Sequence, residues 1–378
     1  MHRLEEIEIL QGSFGTSRRL QVHRFGEETA GPKVYIQASL HADETPAMLA
    51  AHHLLQRLIA ADRAGEVLGQ IVIVPFANPI GLAQRMLNMH LGRGDLGGGG
   101  NFNRNFPDIA PALIERLKGR LGSDAAENDR VVRAALREAS ADLKPHSELS
   151  ALRIKLLQLA IDADIVLDLH CHFEGITYLY CNGAGWPGAQ DLSAQVQSHA
   201  TLIATGGGGG SFDESCDLPW VRIKEAYPEV PLNHGCLSVT LEYRGQADVS
   251  DELAAFDADA LVRFMQRRGV LAGDPGPLPD ALCEGTPVDA VDHVRAPVPG
   301  IIVHKVALGD KVKEGQVVAE IVSPEAPLDS PRTILRARTD GVVFGRLFSR
   351  IARPGTAFLS IAGTDPAKVP DNLGDPYP

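Results

Sequence analysis

The chain has 378 residues, 44% of them hydrophobic and 22% charged, with a formal net charge of −12. That length suits two domains, at least one with a large core, and the acidic balance disfavours a nucleic-acid partner, which would need a basic patch. No apolar run approaches the roughly 20 residues that span a bilayer, Met1–Glu6 carries no apolar signal segment, and five cysteines without a CxxC pair suit reduced thiols, so a cytoplasmic protein without a membrane partner is expected.

In chain order, Val34–Ala38 reads as a buried strand. Thr45 is then placed to cap a helix, with Pro46 at its first position, where a missing N–H costs little. This helix runs through Leu49, His53 and Leu58, and residues 71–76 form the next strand. Leu82–Leu87 has a helix-like pattern, and the glycine run Gly97–Gly100 reads as a loop. Residues 108–150 are charged and partly helical, with the look of an insertion. A helix over Ala151–Ile161 and a strand over Ile165–Leu169 follow, then a second glycine loop at Gly206–Gly210, a strand at Leu237–Leu241 and an amphipathic helix over Leu253–Arg268. Strands alternating with helices predict an α/β fold around a mixed, largely parallel sheet flanked by helices.

Proline and glycine at residues 273–279 disfavour both helix and sheet and mark a linker. The domains are therefore placed at residues 1–280 and 290–366. The second contains an internal echo: Ala296–Val303 resembles Ala337–Phe344, and each is followed by a glycine turn (Gly315, Gly355) and a strand (317–321, 357–361). This pattern resembles the all-β barrel-sandwich hybrid fold of biotinyl and lipoyl carriers. Carriers present a lysine at the tip between the halves, but residues 323–336 contain none, and Lys311 and Lys313 lie on an earlier turn. A structural or lid role is expected instead.

Three motifs carry the chemistry. His41-Ala42-Asp43-Glu44, Asp168-Leu169-His170 and Leu241-Glu242-Tyr243 each follow an apolar strand-like run. In an open parallel sheet, the carboxyl ends of strands open into one crevice. Two imidazoles and a carboxylate (His41, Glu44 and His170) can hold one Zn²⁺ per chain, and a second carboxylate can act on its water. His172 is the alternative ligand. Asp168 shares the face of His170 and can orient an imidazole. The bland reading is a buried polar network without metal, and an HxxE alone occurs often by chance.

Asn78-Pro79 follows one strand, and Asn101-Phe102-Asn103-Arg104-Asn105-Phe106-Pro107 comes later. HxxE, NP, NR, DLH and a late-strand Glu follow the order found in zinc carboxypeptidases. With the small C-terminal β-domain, the chain resembles the succinylglutamate desuccinylase/aspartoacylase branch over roughly residues 30–270. The resemblance implies a zinc carboxypeptidase-like fold with zinc on His41, Glu44 and His170. It makes Glu242 the general base that takes a proton from water and returns it to the leaving amine. An arginine between the NP and NR motifs would polarise the scissile carbonyl; Arg93 is chosen and Arg85 is the alternative. Asn103 and Arg104 would grip a substrate carboxylate, against the plain reading of Arg104 as a structural ion pair. Arg244 could add charge or orient Glu242.

The expected activity is amide hydrolysis of a small N-acylated amino acid or related amine. A metallocarboxypeptidase acting on peptides and a metal-free binding module are the alternatives. The oligomeric state is left open, a homo-oligomer included.

Overall fold

A computed structural model describes residues 1–27, 31–204, 210–233 and 235–369. The chain opens with β1 (Arg3–Glu8), β2 (Arg19–Phe25), β3 (Lys33–Ala38), α1 (Thr45–Arg63), β4 (Gln70–Val74) and the single turn α2 (Pro79–Leu82). Two small hairpins follow, β5 (Arg85–Met86) with β6 (Met89–His90) and β7 (Gly94–Asp95) with β8 (Gly100–Asn101). Next come α3 (Ala110–Leu117), α4 (Ala125–Ala141), α5 (Glu148–Ala160), β9 (Ile165–His172), β10 (Glu174–Gly175), β11 (Tyr178–Asn182), α6 (Trp186–Gln195), β12 (Thr201–Ala204), α7 (Phe212–Ala226), β13 (Leu237–Gly245) and α8 (Asp251–Arg267).

The main sheet has nine strands in the order β1-β2-β4-β3-β9-β13-β11-β12-β14, where β14 is Gly285–Pro287. Its centre, β4-β3-β9-β13, is parallel throughout. The antiparallel β1–β2 edge carries exposed charge on β1 and lay outside the predicted strands.

Alternation along the central strands separates two cores. Ile36, Leu167, Leu169, Val239 and Leu241 pack under α1, α6 and α8. Tyr35, Val72, Val74 and Val166 pack under α3, α4, α5 and α7. The segment 108–150 is therefore a covering layer: Leu113, Leu117, Val132 and Leu136 are fully buried in that second core. Its charges occupy the outer faces of amphipathic helices, and this gave it the look of an insertion.

After the Pro/Gly-rich stretch, β14 still joins the main sheet beside β12. Then β15 (Val291–Arg295), β16 (Gly300–His304), β17 (Lys311–Val312), β18 (Val317–Val322), β19 (Thr333–Arg336), β20 (Gly341–Arg346), β21 (Ile351–Ala352) and β22 (Ala357–Ala362) form two antiparallel sheets around a separate apolar core. The two echoed segments supply β16 and β20, in different sheets. The short β10 leaves the α/β part and pairs with β20. Among the described residues, no helix is long and apolar enough to cross a membrane.

Candidate active site

Register builds the site. On the face beneath α7, β9 places Asp168 beside Gln37 of β3, and His170 beside Glu242 of β13. Parallel neighbours in register point the same way, so His170 and Glu242 project together from the strand ends. Beyond β3 the chain turns sharply at Ser39, which is fully buried with φ +66°. A non-glycine residue in that region is strained, and such strain gathers at functional sites. The turn delivers His41 and Glu44 to the same point.

Glu44, rather than Thr45, is the N-cap of α1, yet its side chain caps nothing. A capping carboxylate would have been held by the helix N–H groups. Here Glu44 Oε1 faces His41 Nδ1 at 2.9 Å, while Oε2 faces His170 Nδ1 at 2.8 Å and accepts the Cys171 N–H at 3.1 Å. His41, Glu44 and His170 are all buried, and one ligand atom from each lies within 4.8 Å of the others.

The hydrogen bonds around these rings show what the cluster can bind. Asn101 Oδ1 accepts the Asn103 N–H at 2.9 Å, which identifies that atom as oxygen, and it lies 2.8 Å from His41 Nε2. Nε2 therefore carries the proton, and the Nδ1 lone pair points at a carboxylate. His170 faces carboxylates on both sides: Nδ1 lies 2.8 Å from Glu44 Oε2, and Nε2 lies 2.9 Å from Asp168 Oδ2. The His41 lone pair and the two carboxylate oxygens meet where a cation would be held, with His170 Nδ1 as a further donor atom once deprotonated. The donor set, two imidazole nitrogens and a carboxylate oxygen, fits zinc.

Behind the ligands a polar relay runs into the core. Tyr35 Oη donates to Gln37 Oε1, and Gln37 Nε2 donates to Asp168 Oδ1, both at 2.9 Å. Asp168 is thus fixed where it orients His170.

Electrostatics separates the two glutamates. Burial would raise the Glu44 carboxyl, but His41 and His170 outweigh it and hold it well below the usual range. Burial lowers His170, and Asp168 and Glu44 more than reverse this. His41 is pushed down by burial and then by Arg93. Glu242 is pushed up to about 8, first by burial and then by Glu44. Its Oε2 is buried without a hydrogen-bond partner although the residue keeps some exposure. A carboxylate poised near neutrality beside a cation site suits proton transfer.

Arg93 reaches the cluster and Arg85 does not. Arg93 Nη1 lies 3.3 Å from Glu44 Oε1 and 3.4 Å from His41 Nδ1. Its loop is stitched to the ligand turn by the Ala42 N–H donating to the Gly92 carbonyl at 2.9 Å. Gly92 is required there, because a Cβ would come within 2.1 Å of the Asp43 nitrogen. Arg85 sits exposed in β5, since α2 ends at Leu82 and the expected helix over 82–87 is a hairpin.

The remaining candidates divide. Asn103 is buried and its Oδ1 accepts the Phe212 N–H at 2.8 Å, bracing the start of α7. Arg104 is half-buried, and its Nη1 donates to the Asn103 carbonyl at 2.6 Å. Arg244 turns away: a bulge in β13 and φ +55° send its guanidinium to Asp257, with Nη1 at 3.0 Å from Oδ1. His172 lies on the same strand as His170 but approaches Tyr178 Oη at 3.1 Å and packs against Phe344. Asn101 was missed as a functional residue, although it stands in the Asn-Phe-Asn-Arg motif. Most of the glycine loop at 206–210 lies outside the described residues.

Residues 30–206 match the succinylglutamate desuccinylase/aspartoacylase catalytic domain. Over those residues the chain is similar to that catalytic domain. The succinylglutamate desuccinylase/aspartoacylase family is one of deacylases, which agrees with the resemblance read from the motifs. N-alpha-acetyl-L-2,4-diaminobutyric acid deacetylase of Halomonas elongata is 24% identical over 359 residues, 91% of this chain and 84% of that protein. A solved family protein from Shewanella amazonensis SB2B has a TM-score of 0.83 at 26% identity, covering 95% of this chain and 98% of its own. A second, from Shewanella frigidimarina NCIMB 400, has 0.81 at 25% identity, covering 96% and 97%.

Proposed function

We propose that this protein is a zinc-dependent amidohydrolase that cleaves the amide of a small N-acylated amino acid or related amine. The observation that carries the reading is the pair of imidazole Nδ1 atoms turned onto one carboxylate beside a second carboxylate whose Oε2 has no hydrogen-bond partner. His41, Glu44 and His170 would hold the metal. Zinc bound there would bring the pKa of water to about 7 and polarise a carbonyl.

Glu242 takes a proton from the attacking water and passes it to the departing amine. Arg93 donates to the oxygen on which negative charge develops. Arg104, on a backbone braced by Asn103, pairs with a substrate carboxylate in two-point fashion. The relative's acetylated diaminobutyric acid supports an N-acyl amino acid as the substrate class. In this reading residues 1–280 form the catalytic domain, and residues 290–366 a domain that shapes its surroundings.

A substrate panel tests the assignment. N-acetyl and N-succinyl amino acids, N-acetyl-2,4-diaminobutyrate among them, should be hydrolysed well above short peptides. Preference for peptides would instead make the protein a carboxypeptidase with the same metal site.

A further inference from the structure

Arg93 sits on a loop and its side chain keeps 29% of its exposure. A long, flexible guanidinium in that setting loses much of its freedom when held in one pose. Its Nη1 lies 3.3 Å from Glu44 Oε1, and one such contact does not by itself set the plane of the guanidinium. Something must hold its plane where a substrate oxygen can meet it.

The structure supplies a candidate from the far end of the chain. The Arg93 guanidinium carbon lies 5.4 Å from the centroid of the Phe173 ring, within cation–π range. Phe173 in turn meets Phe348 edge to face, with centroids 5.5 Å apart and planes at 64°. Phe348 belongs to the turn between β20 and β21 and is 57% exposed. Burying its own surface does not account for its place.

The turn is clamped on both sides of Phe348. Arg346 Nε donates to Glu174 Oε2 at 2.5 Å, and Arg350 Nη2 reaches both Glu174 oxygens at 2.8 Å. Glu174 directly follows Phe173, and β10 pairs with β20 through Glu174↔Arg346 and Gly175↔Gly345. Gly345 permits this approach, since a Cβ there would stand 2.6 Å from His172 Nε2.

We propose that Phe348 is a positioning residue for Arg93: the β20–β21 turn, locked to Glu174, sets Phe173, and the Phe173 ring sets the Arg93 guanidinium. The C-terminal β part would then tune hydrolysis through Arg93. This inference rests on the role given to Arg93 under the proposed function.

The test is a double-mutant cycle on the full-length, zinc-loaded protein, using the best N-acyl amino acid of the panel. Phe348→Ala should lower kcat about tenfold, as a small misplacement of a catalytic group can, with KM within about twofold of wild type. Metal content and unfolding midpoint should not change, and Phe348→Tyr should retain the wild-type rate. In an Arg93→Ala background, Phe348→Ala should have no further effect. A second readout is independent of activity. The Nε–H resonance of Arg93, assigned by its disappearance in Arg93→Ala, should shift in Phe348→Ala as the Phe173 ring moves. An unchanged resonance, or an equal kcat loss in both backgrounds, would overturn the proposal. If Arg93→Ala alone retained full activity, the role of Arg93 in hydrolysis would fall, and the resonance would still decide whether Phe348 positions it.

Discussion

The main sheet handles charge differently at its two ends. Where β3 begins and α5 runs into β9, opposite charges are paired. Lys33 pairs with Asp162, Arg137 with Asp162 at 3.0 Å, and Arg133 with Asp164 at 2.7 Å. At the opposite end, where the strands finish, Glu44 is shared by two imidazoles, Asp168 Oδ2 is buried without a hydrogen bond, and so is Glu242 Oε2. One end is a scaffold in which paired charges offset their own desolvation. The other is left incomplete in a way a cation and a substrate would complete. Unbalanced buried charge, more than charge itself, marks where chemistry occurs.

The sharpest way to break this contrast is Glu242→Gln. At the unbalanced end it should lower kcat by about 10²–10⁴-fold while zinc content stays the same; wild-type turnover would remove the general base. Arg93→Lys should cost about 10²-fold in kcat, since a point charge cannot reproduce the planar donors aimed at a developing oxyanion. At the balanced end, Asp162→Ala should do the reverse. Lys33 and Arg137 lose their partner, and the unfolding free energy should drop by about 1–3 kcal/mol with kcat unchanged.

The smallest effect lies between the two ends. Asp217 in α7 is buried with Oδ1 unpartnered, and burial, then Asp213, pushes its carboxyl well above the usual range. Its folded pKa exceeds the unfolded value of about 3.9. Its contribution to stability is therefore fully present below that value and is lost as pH rises through the folded pKa. Asp217→Asn removes this slope, so its melting temperature relative to wild type should climb between acidic and alkaline buffer. A constant difference would show that Asp217 is ionised in both states.

Much of the residue cluster at the strand ends was legible because strands announce themselves. His41, Glu44, His170 and Glu242 each trail a β-branched or leucine-rich run, and the rule that parallel strands end in one crevice brings them together. What escaped depends on contacts distant in sequence. Asn101 fixes the His41 tautomer from a two-residue hairpin whose register no periodicity reveals. Arg244 looked well placed two residues after Glu242, but the bulge in β13 redirects it to Asp257. Thr45 resembled a helix cap, and only the structure shows the cap position taken by Glu44, whose carboxylate serves the imidazoles instead. The contact between Glu174 and the Arg346–Arg350 turn spans more than 170 residues. Such pairings are set by how sheets dock, and local sequence carries no signal for them.

The most direct test of the central claim is elemental metal analysis of the purified protein beside a His41→Ala/His170→Ala double variant. About one zinc per chain is expected in the wild type and none in the variant. A wild type that stays metal-free after incubation with zinc, or a variant that retains it, would contradict the account.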